Sequence, residues 1–118
     1  MNRRWSPLSN WKRALIRALL QGPGPNDCPS LIDQLLEMPS SEVGCWQLVL
    51  RGREMDRRLG AVASPFVGDA VDVDGVPIQA VLTLDRDATP MELEIMRLDG
   101  QPLQAPVETL TFAFVKER

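Results

Sequence analysis

The sequence predicts an α+β fold. Two N-terminal helices, over about 7–38, pack on one face of an antiparallel sheet of about five strands, over about 44–115, in a single domain spanning 1–118. Two observations predict it. Apolar residues recur at helical spacing as far as Met38, and after Gly44 the spacing changes to alternation. Within the alternating part, Val67 to Leu98 reads as three successive antiparallel strands, with Asp74-Gly75 supplying the positive φ of a two-residue hairpin turn.

The first helix is expected to start at Ser6 as N-cap, with Pro7 at the first helical position, where its missing N–H costs nothing. Trp11, Ala14, Leu15, Ala18 and Leu19 then share a face, and Lys12, Arg13 and Arg17 point away from it. Gly22 ends the helix, and Pro23 and Pro25 forbid its continuation. A second helix is expected over Asp27 to Met38, capped by Asp27 or Ser30, with Leu31, Ile32, Leu35 and Leu36 inward and Pro39 as its stop. The first strand follows at Gly44 to Leu50, with Trp46, Leu48 and Leu50 on one side. Arg51 to Arg58, rich in both charges, reads as a solvated turn or short helical segment.

Pro65 fits only an edge or a break, so Ala61 to Pro65 is irregular. Around a two-residue Asp74-Gly75 turn, Val73 would face Val76, Val71 would face Ile78, and Asp69 would face Ala80. Asp69 would then lie on the apolar side unless the strand bulges or starts later. Past the Asp85 to Pro90 loop, alternation resumes at Met91, and alignment across the loop places Leu82 beside Leu93 and Val81 beside Glu94. One face collects Val71, Ile78, Ala80, Leu82, Leu93 and Ile95. The other shows Asp72, Gln79, Val81, Thr83, Glu92, Glu94 and Met96. A last strand, Leu110 to Val115, turns Leu110, Phe112 and Phe114 to one side.

Composition narrows the function classes. A content of 44% hydrophobic and 25% charged residues fits a folded chain. No apolar run approaches the roughly 20 residues that span a bilayer. The apolar stretch near the N-terminus is broken by Arg17 and lacks a cleavage pattern, so a cytoplasmic location and no membrane partner are expected. There is no histidine, which excludes Ser-His and Cys-His nucleophile pairs and any His-containing zinc site. Cys28 and Cys45 lack redox spacing and read as reduced thiols partly packed in the core. No metal, no cofactor and no catalytic residue are expected.

Charge is divided along the chain. Residues 1–25 carry five basic groups and no acid, whereas residues 61–100 carry eight acids against Arg86 and Arg97. The basic helix face has no interleaved aromatics and the chain is acidic overall, with a net charge of −3, so no nucleic-acid partner is expected. Asp72-Val73-Asp74-Gly75 contains a fragment of a calcium loop. The full pattern fails, with Ala70 and Val81 at its end positions. Glu92 and Glu94 share a strand face, but a strand face by itself gives no environment that separates two carboxylate pKa values.

Asp74-Gly75-Val76, Ala80 to Asp85, Glu92 to Asp99 and Pro102-Leu103 together resemble a family of small uncharacterised bacterial domains associated with toxin–immunity systems. The resemblance covers residues 44–104. After the Glu-Leu-Glu-Ile strand, where that family tends to carry an aromatic residue and lysine, this chain has Met96 and Arg97. The resemblance implies an immunity protein that binds and neutralises a cognate protein toxin, as a monomer or homodimer. An acidic sheet face complements the basic active site of a nuclease-like toxin. The partner-binding residues expected on it are Asp72, Gln79, Glu92, Glu94 and Met96. Two other readings are a module that self-associates through a sheet edge and a small carboxylate enzyme.

Overall fold

A computed structural model of the chain describes residues 5–22, 30–40, 44–52 and 62–116. Its frame is one antiparallel sheet of eight strands. These are β1 (Ser6–Pro7), β2 (Leu35–Pro39), β3 (Cys45–Leu50), β4 (Val62–Ala63), β5 (Phe66–Val71), β6 (Pro77–Leu84), β7 (Pro90–Arg97) and β8 (Ala113–Lys116). The order across the sheet is β1-β2-β3-β7-β6-β5-β8, with β4 also on β6. This corrects the expected two helices on about five strands. Among the described residues one helix, α1 (Asn10–Gln21), runs several turns, and α2 (Ser30–Asp33) has four residues.

The second helix is overruled by pairing. Leu31, Ile32, Leu35 and Leu36 fit a helical stripe, but residues 35 to 39 pair in sequence with β3, from Leu35↔Leu50 to Pro39↔Trp46. A one-turn helix is marginal without tertiary support, whereas these pairs complete a ladder. Residues 23–29 lie outside the described residues, as do the Asp27 cap, Cys28 and most of the arginine-rich stretch. Ser6 and Pro7 do not cap α1 either. They pair with Glu37 and Leu36 at the sheet's edge, a place where a residue without an N–H is tolerated. The helix instead starts after Ser9 and stops at Gly22, whose N–H donates to the Ala18 carbonyl at 2.7 Å.

Helix α1 lies on one face of the sheet. Leu15, Ile16 and Leu19 pack there with Ile32, Leu35, Leu48, Ile78, Leu82, Leu93 and Ile95 in one core cluster. Its buried stripe is rotated from the expected one: Ala14 is exposed and Lys12 is buried. Lys12 Nζ donates to Glu37 Oε1 at 2.8 Å and sits 4.3 Å from the centre of the Trp46 ring and 5.0 Å from that of Trp11. Burial of this cation is offset by a carboxylate and two aromatic faces. Arg13 pairs with Asp33 of α2.

The hairpin before β6 has one more loop residue than expected. Asp72 N–H donates to the Val76 carbonyl and Gly75 N–H to the Asp72 carbonyl, both at 2.9 Å, with Gly75 at φ +86°. A three-residue loop closed by a left-handed glycine shifts the register by one residue. Val71 therefore faces Pro77 and Asp69 faces Gln79. The slip reverses the faces of β5, so Asp69 is exposed and Val71, expected in the core, is 63% exposed. Across the next connection the expected register holds: Leu82 faces Leu93 and Val81 faces Glu94. Strands β4 and β5 run along the same edge of β6, separated at Ser64-Pro65.

At the start of β3, Gly44 has φ +86° and its carbonyl accepts the Ile95 N–H at 2.8 Å. This contact ties β3 to β7. The C-terminal segment forms a 3-10 turn at Val107–Thr109 and then β8, which pairs with β5 so that Phe114 faces Gly68. Phe112 and Phe114 pack against the core cluster, as their expected common side implies.

Candidate functional site

Strands β3, β7 and β6 position the candidate site on the face away from α1. Inward residues of β7 are Met91, Leu93, Ile95 and Arg97, so the alternation leaves Glu92, Glu94 and Met96 outward. Across the ladder, Glu92 faces Thr83, Glu94 faces Val81, and Met96 faces Gln79, with Gln47 and Cys45 of β3 opposite Glu92 and Glu94 on the other side. All of these residues are half-buried except Cys45, which is buried and whose thiol donates to Glu94 Oε2 at 3.5 Å. The structure thus brings Gln79, Glu92, Glu94 and Met96 together as one patch, and Asp69 extends it beside Gln79. By alternation Arg51 follows Cys45, Gln47 and Val49 on this face at the far end of β3, where its backbone N–H donates to the Gln34 carbonyl at 2.7 Å.

Asp72 does not belong to the patch, and its expected role as a partner-binding residue is corrected. It is 4% exposed and serves the chain's own backbone. Its Oδ1 accepts the N–H groups of Val73 and Ala105, both at 2.8 Å. Its Oδ2 accepts the N–H of Gln104 at 2.8 Å and Nη1 of Arg97 at 3.0 Å. Burial alone would raise this carboxyl, but the hydrogen bonds of Gln104, Val73, Ala105 and Arg97 outweigh it and hold the pKa at about 2.

Arg97 is the centre of that cluster. It occupies the inward position that ends the β7 alternation and is 5% exposed. Its Nε and Nη2 grip Asp99 in a fork at 3.0 and 2.7 Å, and Nη1 also lies 3.0 Å from Asp74. The Asp99 hydrogen bond leads in raising the Arg97 pKa, against burial, with Asp72 and Asp74 adding to it. Asp99 in turn is lowered to about 2, first by Arg97 and then by the Gln101 N–H. Sequence reading named Asp72 and missed Arg97, although an arginine at the inward position of an alternating strand signals buried carboxylates.

Beside the patch lies a hollow of about 320 Å³ lined by Gly44, Glu94, Met96, Gly100, Pro102 and Leu103, among others. Its far wall is the stretch after β7 that Asp72 and Asp99 hold in place through the N–H groups of Gln101, Gln104 and Ala105. The buried acidic cluster thus supports one side of the candidate site. Among the described residues, no group of three or more His, Cys, Asp or Glu is arranged to hold a metal ion, and no helix is long and apolar enough to cross a membrane.

Residues 6–106 match the family model described as the domain of unknown function DUF6984. The chain belongs to that family. The DUF6984 match begins at β1 and ends one residue past Ala105, the last residue that Asp72 holds, so it includes the patch, the hollow and the Arg97 cluster. The 3-10 turn and β8 lie beyond it. No match was found among curated proteins or among solved structures.

Proposed function

We propose that this chain is an immunity protein, held in the cytoplasm and without catalysis of its own, that neutralises a cognate protein toxin by docking its outer sheet face on the toxin's basic active site. The observation that carries this reading is the composition of the face: Asp69, Glu92 and Glu94 stand on it, with Val81 and Met96 between the acids. Carboxylates around apolar contacts give electrostatic steering at the rim and desolvated packing at the centre. The hollow beside Glu94 and Met96 is sized for an inserted side chain, and a basic one would meet a carboxylate there. The resemblance to toxin-associated bacterial domains supports the same class.

The test is a titration against the product of the adjacent gene. A one-to-one complex is expected, and the double variant Glu92→Lys/Glu94→Lys should associate on the order of tenfold more slowly at low ionic strength, with the difference shrinking as salt is added. A melting profile of the same variant, recorded in parallel, separates a slower encounter from a loss of folded protein. Absence of a complex, or an association rate unmoved by the charge reversal, would sink the reading. Self-association is the second reading, supported by the outward Val71 and Val115, which are 63% and 49% exposed where β5 and β8 extend this face. It requires a mass that rises with concentration and no added partner.

A further inference from the structure

A second concavity lies on the opposite side of the sheet. Trp11, Ala14, Ala18 and Arg17 of α1 form one wall, and Leu110, Phe112 and Phe114 of the C-terminal segment help form the other, around a groove of about 350 Å³. Its lining is largely apolar, with Arg17 and Glu108 as its charged members. These two differ. Glu108 is exposed on the rim, whereas Arg17 is half-buried and its Nη1 is fully buried with no hydrogen-bond partner among the described residues.

That orphaned group is an exception among its neighbours. Lys12 has Glu37, Arg13 has Asp33, and Arg97 has three carboxylates. A guanidinium keeps its charge at any accessible pH and carries five donors in a fixed fork, so with Nη1 desolvated and unpaired the side chain favours an anion in the groove, which would meet the part of Arg17 that remains accessible.

We propose that this groove binds a small amphipathic carboxylic acid, its carboxylate on Arg17 and its apolar body against Trp11, Phe112 and Phe114. The volume falls at the small end of ligand pockets and, at ~30 Å³ per water-sized atom, holds roughly ten heavy atoms. A single fork suits a carboxylate, which it can grip bidentately. Glu108 on the rim disfavours a more highly charged head such as a phosphate, and the apolar walls require a body without further polar groups. The wall from Leu110 onward lies beyond the family-matched stretch, so the groove combines α1 with a segment outside that match. This site is independent of the outer face.

Octanoate is the probe, titrated into isotope-labelled protein while the Trp11 indole and the amides of α1 and residues 107–114 are followed by NMR, with 1-octanol as the uncharged analogue. Octanoate should bind saturably with shifts confined to those groups, and 1-octanol should bind about tenfold more weakly. Arg17→Met should weaken octanoate about tenfold and leave 1-octanol unchanged. Arg17→Lys, which keeps the charge and loses the fork, should fall between and serves as a second variant should the methionine variant not fold. Glu108→Gln should tighten octanoate. The proposal is overturned by equal affinity for acid and alcohol, by wild-type octanoate affinity in both Arg17 variants, by shifts centred elsewhere, or by no saturation at millimolar octanoate.

Discussion

Asp72→Asn is expected to lower the melting temperature by roughly 15 °C at neutral pH, because it removes the charge at the centre of a buried cluster. An asparagine has the right shape but replaces one acceptor oxygen with an NH2. That group would confront donors in its place, since the Gln104 N–H and Arg97 Nη1 both point at Oδ2, and the Ala105 and Val73 N–H groups both point at Oδ1. Acid should act in the same direction. Folding depresses the Asp72 and Asp99 carboxyls from 3.8 to about 2, so their stabilisation is fully present above pH 3.8 and is lost as pH falls through about 2. Denaturant midpoints measured from pH 7 down to pH 2 should therefore drop most steeply between 4 and 2, and more shallowly in the Asn variant, where only Asp99 still contributes. An Asp72→Asn protein with the wild-type acid slope would show that the cluster does not couple to folding.

Gly44→Ala is the second large effect, with an expected loss of about 4 kcal/mol read from the denaturant midpoint. The residue has φ +86°, where an alanine is strained, and its Cβ would lie 2.5 Å from the Ile95 carbonyl oxygen. The obstacle is backbone in the middle of β7, so no side-chain rotation relieves it. The neighbouring hydrogen bond, in which the Ile95 N–H donates to the Gly44 carbonyl, would lengthen as the chains move apart. Because Gly44 also lines the hollow beside Glu94, a folded variant should bind any outer-face partner less tightly. Near-wild-type stability in Gly44→Ala would contradict the tight β3–β7 contact.

The β6–β7 register agrees with the sequence expectation because both strands alternate and the inward row Leu82, Leu93 and Ile95 favours that pairing, although the Asp85 to Pro90 loop is long enough to allow others. The hairpin before it was misread by one residue. Asp74-Gly75 fits a two-residue turn as well as a three-residue one, and the deciding partner, Arg97, is distant in sequence. That slip moved Asp72 from the expected outer face into the Arg97 cluster, whereas Gln79, Glu92, Glu94 and Met96, set by the better-determined pairing, did come together. The second helix failed for a related reason. Leu31, Ile32, Leu35 and Leu36 satisfy the helical period, and only the availability of β3 as a neighbour selects the strand. Two missed features share one signal, a charged residue at an inward position: Lys12 with Glu37, and Arg97 with its three acids. Each is legible only once the opposing charge is identified, and that charge lies 25 residues away in the case of Lys12 and Glu37.

The order of strands also constrains synthesis on the ribosome. Strand β3 lies between β2 and β7, and its second neighbour is drawn from residues 90–97, near the other end of the chain. A nascent chain that has emerged only as far as β3 has a bare hydrogen-bonding margin and an uncovered Leu48, with nothing yet available to close either. Completion waits for the last third of the polypeptide, so folding is late and dominated by contacts between distant residues, a regime of milliseconds to seconds.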